Sequence, residues 1–192
     1  MKQDLIRRNI SDSITVKQQL LQNDDIIVDI IKVADLIVEA FNNGNKLMFC
    51  GNGGSAADAQ HLAAEFSGRY YFNRLPLHAE ALHTDTSFMT AVSNDFSFDE
   101  VYARLIQGIG KQGDILIGMS TSGNSKNVNK ALKEAKKKNI ITIGFTGKAN
   151  ENMKPYCDYL INIPSDDTPR VQECHLMLGH AICELVEKEL FS

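Results

Sequence analysis

Apolar positions recur at helical spacing through residues 4–42. They are Leu5, Ile6, Ile10, Ile14, Leu20 and Leu21, then Ile26, Ile27, Ile30, Ile31, Ala34, Ile37, Val38 and Phe41. The second set makes two stripes, more than a helix lying on one surface buries. The run Asn42-Asn43-Gly44-Asn45 stops it. A helical arm ahead of any sheet suits oligomerisation, so residues 1–44 are expected to form such an arm. From Lys46 the rhythm changes. Short apolar runs occupy 47–50, 79–82, 115–119, 140–145 and 159–163, alternating with helical stretches near 54–67, 86–108, 125–138 and 169–190. Strands without polar alternation, separated by helices, predict an α/β domain: a parallel five-stranded sheet flanked by helices, one unit over 45–192. No repeat, linker or low-complexity tract interrupts it.

Composition narrows the function classes. Of 192 residues, 20 are Lys or Arg and 24 Asp or Glu, a formal charge of −4. Phosphate-backbone affinity comes from clustered cations, so nucleic acid is not the expected partner. The one basic cluster, Lys136-Lys137-Lys138, falls at the end of a predicted helix, where cations complement the dipole. Cys50, Cys157, Cys174 and Cys183 form no CxxC pair, and reduced core thiols point to the cytoplasm. No apolar run approaches the ~20 residues that span a bilayer. Met1-Lys2-Gln3-Asp4 opens a charged helical pattern without a signal-peptide core, so neither export nor a membrane partner is expected.

In open parallel sheets ligands bind beyond the carboxyl ends of the strands. The first strand runs into Gly51-Asn52-Gly53-Gly54-Ser55-Ala56, where glycines let backbone approach a ligand and a helix start favours an anion. This run also meets a loose dinucleotide fingerprint. That fingerprint, however, wants an acidic residue about 20 positions on, and the second strand ends at His83-Thr84-Asp85, about 30 residues downstream. The helix that follows carries His61 and Glu65 four apart, on one face, among Leu62, Ala63, Ala64 and Phe66. Such a carboxylate suits a general base or a metal ligand.

The third strand ends in Ser120-Thr121-Ser122-Gly123-Asn124-Ser125, a ring of hydroxyls at a strand-to-helix turn that suits phosphate oxygens. A Walker loop needs Lys where Asn124 stands, so a phosphate held but not transferred is expected. The structural alternative is a serine-rich turn with Ser125 as helix cap. Asn94-Asp95, within Val92-Ser93-Asn94-Asp95-Phe96, could line the same cleft. Thr168-Pro169 starts the last helix, with Thr168 at the cap, and Gln172, Glu173, His175, Gly179 and His180 follow among apolar residues. Gln172 and His180 stand about 12 Å apart along its axis. Both reach one metal only if the glutamine bends back; otherwise helices from two subunits contribute.

Together these stretches resemble the sugar isomerase (SIS) domain, a flavodoxin-like sandwich, and within it the bacterial phosphoheptose isomerase family. The resemblance covers essentially the whole chain. It implies interconversion of sedoheptulose 7-phosphate and D-glycero-D-manno-heptose 7-phosphate, the first step towards lipopolysaccharide heptose, by a homotetramer with active sites between subunits. It implies zinc ligands at His61, Glu65, Gln172 and His180. Substrate contacts are implied at Asn52, Gly53, Gly54, Ser55, His61, Glu65, Asn94, Asp95, Ser120, Thr121, Ser122, Ser125 and Gln172. An enediol mechanism then assigns Glu65 as base and His180 as acid/base partner on the opposite side. The metal and base roles compete for Glu65. Segments 70–78 and 150–152 look less typical of the family and hold no motif residue. A non-catalytic SIS protein, and a related isomerase or etherase with another substrate, are the competing readings.

Overall fold

A computed structural model describes residues 1–192. Helices α1 (Lys2–Leu21) and α2 (Asp24–Asn42) precede strand β1 (Leu47–Gly51); α3 (Gly54–Ser67) and β2 (Ala79–Ala81) follow. Then come α4 (Thr86–Asp95), α5 (Val101–Ile109), β3 (Ile115–Ser120), α6 (Lys126–Lys137), β4 (Ile141–Thr146), β5 (Tyr159–Asn162) and α7 (Thr168–Phe191). All strands are parallel, in the order β2-β1-β3-β4-β5. Side chains alternate across the sheet. Leu47, Phe49, Ile115 and Ile117 pack with α2, α3 and α7, while Met48, Cys50 and Leu116 pack with α4, α5 and α6. Both faces are thus covered, which is why the strands read as continuous apolar runs.

The expected arm divides in two. Asn23 caps α2, its side chain accepting from the Ile26 amide at 3.3 Å, and ends the first helix there. Val33 and Ile37 of α2 are fully buried in the same core as β1 and β3, so α2 is a layer of the domain. Helix α1 buries only Val16 and Leu20, and leaves Leu5, Ile6, Ile10 and Ile14 exposed. The helix expected over 86–108 also breaks: α4 ends at Asp95, and a turn of 3₁₀ helix over Phe98–Glu100 leads into α5. The last helix starts one residue earlier than expected, with Asp167 at the N-cap and Thr168 already helical. Cys50, Cys174 and Cys183 are buried, Cys157 is half-buried, and all four are free thiols. No helix is long and apolar enough to cross a membrane.

Candidate active site

The order of strands reverses between β1 and β3, the crevice where such sheets bind ligands. Gly51 stands level with Met119 in the ladder, so the two following loops leave side by side. Gly53 turns the first loop with φ of +54°, a conformation open to glycine. Ser55 is buried in the first turn of α3, and Asn52 exchanges two 2.8 Å hydrogen bonds with Asn127 of α6. This reciprocal amide pair ties the first loop to the helix after the second.

In the second loop the Ser120 and Ser125 hydroxyls lie 2.9 Å apart, and Ser122 Oγ accepts from the Asn124 amide at 3.2 Å. Ser125 occupies the N-cap of α6, yet its hydroxyl makes no capping bond. Ser125 is thus the helix cap by position, while its hydroxyl bonds Ser120 in place of a helix amide. Thr121 is half-buried and Ser122 exposed on the same turn.

A second constellation sits further along α3. The His61 and His180 Nε2 atoms are 2.8 Å apart, and His61 Nε2 is 3.4 Å from a Glu65 carboxylate oxygen. Ligand atoms of all three residues lie within 4.8 Å of one another. Gly179 makes this meeting possible. A Cβ there would stand 2.5 Å from a Leu62 methyl of α3, so any larger residue would have to displace Leu62, and glycine lets α7 pack close beside His180. Tyr70 stacks on His180, with ring centroids 5.7 Å apart and 25° between planes. Burial, and then repulsion from His61, lowers the His180 pKa against the pull of Glu65. His180 is accordingly biased towards neutral imidazole.

Three expected site residues lie outside this trio. The Gln172 amide lies against Gly54, 2.4 Å from where a Cβ would be, at the start of α3 and about two turns from His61. The Gln172 amide thus sits against the glycine loop. Asn94 and Asp95 are exposed at the end of α4 and hydrogen-bond each other at 2.9 Å. The sequence reading missed Asp58. It lies one turn before His61 on the same face, with a buried carboxylate oxygen that has no partner. Burial raises the Asp58 pKa, and His61 opposes the rise. Its spacing of three from His61 was the available signal.

Comparison with known proteins fixes the kinship. The SIS domain family matches residues 13–147. Phosphoheptose isomerase 2 of Campylobacter jejuni is 50% identical over 187 residues, covering 97% of this chain and 92% of the relative. The phosphoheptose isomerase of Aneurinibacillus thermoaerophilus is 48% identical, with 98% and 95% covered. The chain belongs to the phosphoheptose isomerase family. The solved phosphoheptose isomerase of Neisseria gonorrhoeae superposes with a TM-score of 0.92 at 38% identity, covering 98% of this chain and all of that one.

As a phosphoheptose isomerase family member, the chain holds a group that fits a metal. Two imidazole nitrogens and a carboxylate match the donor set of a catalytic zinc site, which keeps a position open for water or substrate. At 2.8 Å the two ring nitrogens hydrogen-bond directly, one as donor and one as acceptor, and they would have to part slightly to take an ion.

Proposed function

We propose that the chain interconverts sedoheptulose 7-phosphate and D-glycero-D-manno-heptose 7-phosphate. An aldose–ketose isomerisation moves a proton between adjacent carbons through an enediol. It needs a base for a carbon acid, a group to exchange protons on oxygen, and something to hold charge on that oxygen. Glu65 is the base. His180, biased towards neutral, both accepts and returns a proton on the sugar oxygens. Their ligand atoms lie within 4.8 Å, so the two groups stand on one side of a bound sugar rather than on opposite sides as expected, within reach of one pair of neighbouring carbons. Residues 115 apart in sequence meet there, and this is the observation that carries the reading.

Ser55, Ser120, Thr121, Ser122 and Ser125 hold the distal phosphate in the crevice, with Asn52, Gly53, Gly54 and Gln172 shaping its wall. Binding energy at the phosphate then orients the carbonyl end against Glu65. Zinc is proposed as an alternative occupant of the His61, Glu65 and His180 atoms, which while holding it are not free to move protons, with Gln172 as a fourth ligand only if its side chain leaves Gly54. A bound ion would polarise the carbonyl as a Lewis acid. Asp58 adds negative charge beside His61 from the preceding turn.

The proposed assembly is a cytoplasmic homotetramer. Leu21, Ile27, Ile31, Met177 and Leu185 line an open apolar groove between α1, α2 and α7. That groove continues along the turn of α7 that carries His180, which supports sites shared between subunits. Asn94 and Asp95 then complete a neighbour's site from α4.

The test is direct. Purified protein mixed with sedoheptulose 7-phosphate is expected to yield the aldose signal by NMR. Glu65→Gln is expected to cut turnover by at least about 10²-fold, with sugar-phosphate binding by calorimetry retained. No aldose from the wild-type chain, or full turnover in Glu65→Gln, would overturn the reading.

A further inference from the structure

The segment 68–78 between α3 and β2 has no helix or strand to place it, yet it holds the most heavily bonded ion pair in the molecule. Arg74 Nε donates to a Glu187 oxygen at 2.7 Å, and both side chains are only 2% exposed. The other Arg74 nitrogens finish the C-terminus of α3, donating to the carbonyls of Glu65 at 2.8 Å and Phe66 at 2.9 Å. Those are among the last carbonyls of the helix, which have no partner within it. The Glu187 carboxylate in turn accepts three successive backbone amides: Tyr70 at 3.0 Å, Tyr71 at 2.6 Å and Phe72 at 2.9 Å.

Each end of this clamp reaches one member of the candidate proton-transfer pair. Arg74 bonds the backbone of Glu65 itself. Glu187 stands seven residues beyond His180 on α7, two turns along, and fixes the backbone of Tyr70, whose ring lies on the His180 ring. A buried ion pair contributes little net stability compared with apolar residues of the same volume, because desolvation offsets the attraction. Its bonds are better explained by what they orient. We propose that Arg74 and Glu187 are positioning residues for the reaction, setting Glu65 through the end of α3 and His180 through Tyr70.

The inference rests on Glu65 and His180 as the proton-transfer pair, and the test separates the two ideas. Steady-state kinetics with sedoheptulose 7-phosphate are measured for Arg74→Lys, Glu187→Gln, Tyr70→Ala and Tyr70→Phe, with Glu65→Gln in parallel. A displacement of about 1 Å costs on the order of 10²-fold in rate. A loss of that order in kcat is expected for Arg74→Lys and Glu187→Gln, and a smaller one for Tyr70→Ala. KM is expected to stay within about twofold, since the phosphate loops are untouched, as the positioning argument requires. Tyr70→Phe, which keeps the ring, is expected to restore kcat. If the ion-pair variants fail to fold, the Tyr70→Ala and Tyr70→Phe pair decides alone, because it leaves the clamp intact. Wild-type kcat in folded Arg74→Lys and Tyr70→Ala beside an inactive Glu65→Gln would overturn the positioning role. An active Glu65→Gln would instead remove the proton-transfer reading on which it rests.

Discussion

Two histidines five residues apart on one helix illustrate how burial decides chemistry. His175 is fully buried, with Nε2 3.2 Å from the Thr146 carbonyl, and burial pushes its pKa down to about 4. His180 keeps enough access to reach a substrate. The consequence for His175 is a pH-dependent stability. The unfolded imidazole takes a proton below about 6.5, while the folded one refuses it until about 4, so stability falls as pH drops through that window. The full effect is on the order of 3 kcal/mol. The urea midpoint is expected to be flat between about pH 7 and 8 and to decline below about 6.5, with a shallower decline in His175→Gln. An unchanged slope in that variant would show that other groups carry the effect. At lower pH the buried carboxylates follow. Burial alone would raise Glu187 and Asp114, but hydrogen bonds from backbone amides and from Arg74 or Lys46 outweigh it, and both sit below their ordinary values. Their stabilisation is complete above the ordinary carboxylate range and is lost as pH falls through the lowered folded value.

At the scale of elements, the periodicity of apolar residues carried most of the fold. Five strands and the long helices were legible because each apolar run must bury, and the parallel sheet followed from strands apolar on both faces. What escaped was fixed by single polar groups. Asn23 divides the N-terminal helices by one side-chain bond, whereas α7 starts one residue early, with Asp167 at its N-cap and no side-chain cap bond. Of the candidate site, His61, Glu65 and His180 were legible and do meet. The place of Gln172 was not, since the direction of a long side chain depends on what it finds across the gap. Arg74 and Glu187 form no motif, because backbone atoms supply most of their partners. Gly179 joins the two levels. In Gly179→Ala the gain in helix propensity is about 1 kcal/mol, whereas overpacking against Leu62 costs about 1–3 kcal/mol. Net destabilisation is therefore expected in urea unfolding, with a larger fall in turnover as His180 is carried away from His61. A variant as active as the parent would show that the close helix approach is dispensable.

On the scale of the whole molecule, one apolar groove between α1, α2 and α7 stands open. Leu21 is 75% exposed, Ile31 46% and Ile27 41%, on helices that present further apolar residues beside them. Contiguous apolar surface of this kind marks an interaction face. Light scattering of the parent protein is expected to report a tetramer. Ile27→Glu with Ile31→Glu is expected to shift it to smaller species and to lower activity more than the fold, as followed by circular dichroism. A monomeric parent with full activity would sink the shared-site arrangement.

The reciprocal amide pair has a chemical lifetime as well as a geometry. Two amides bond head to tail only while both keep their nitrogen, and Asn52 precedes Gly53, the neighbour that least shields an asparagine from deamidation. Loss of ammonia there would put a carboxylate opposite the Asn127 oxygen, beside the crevice meant for an anion. Heat-aged preparations should therefore lose affinity for sugar phosphates in step with acidic variants of the peptide containing Asn52, long before the fold itself fails.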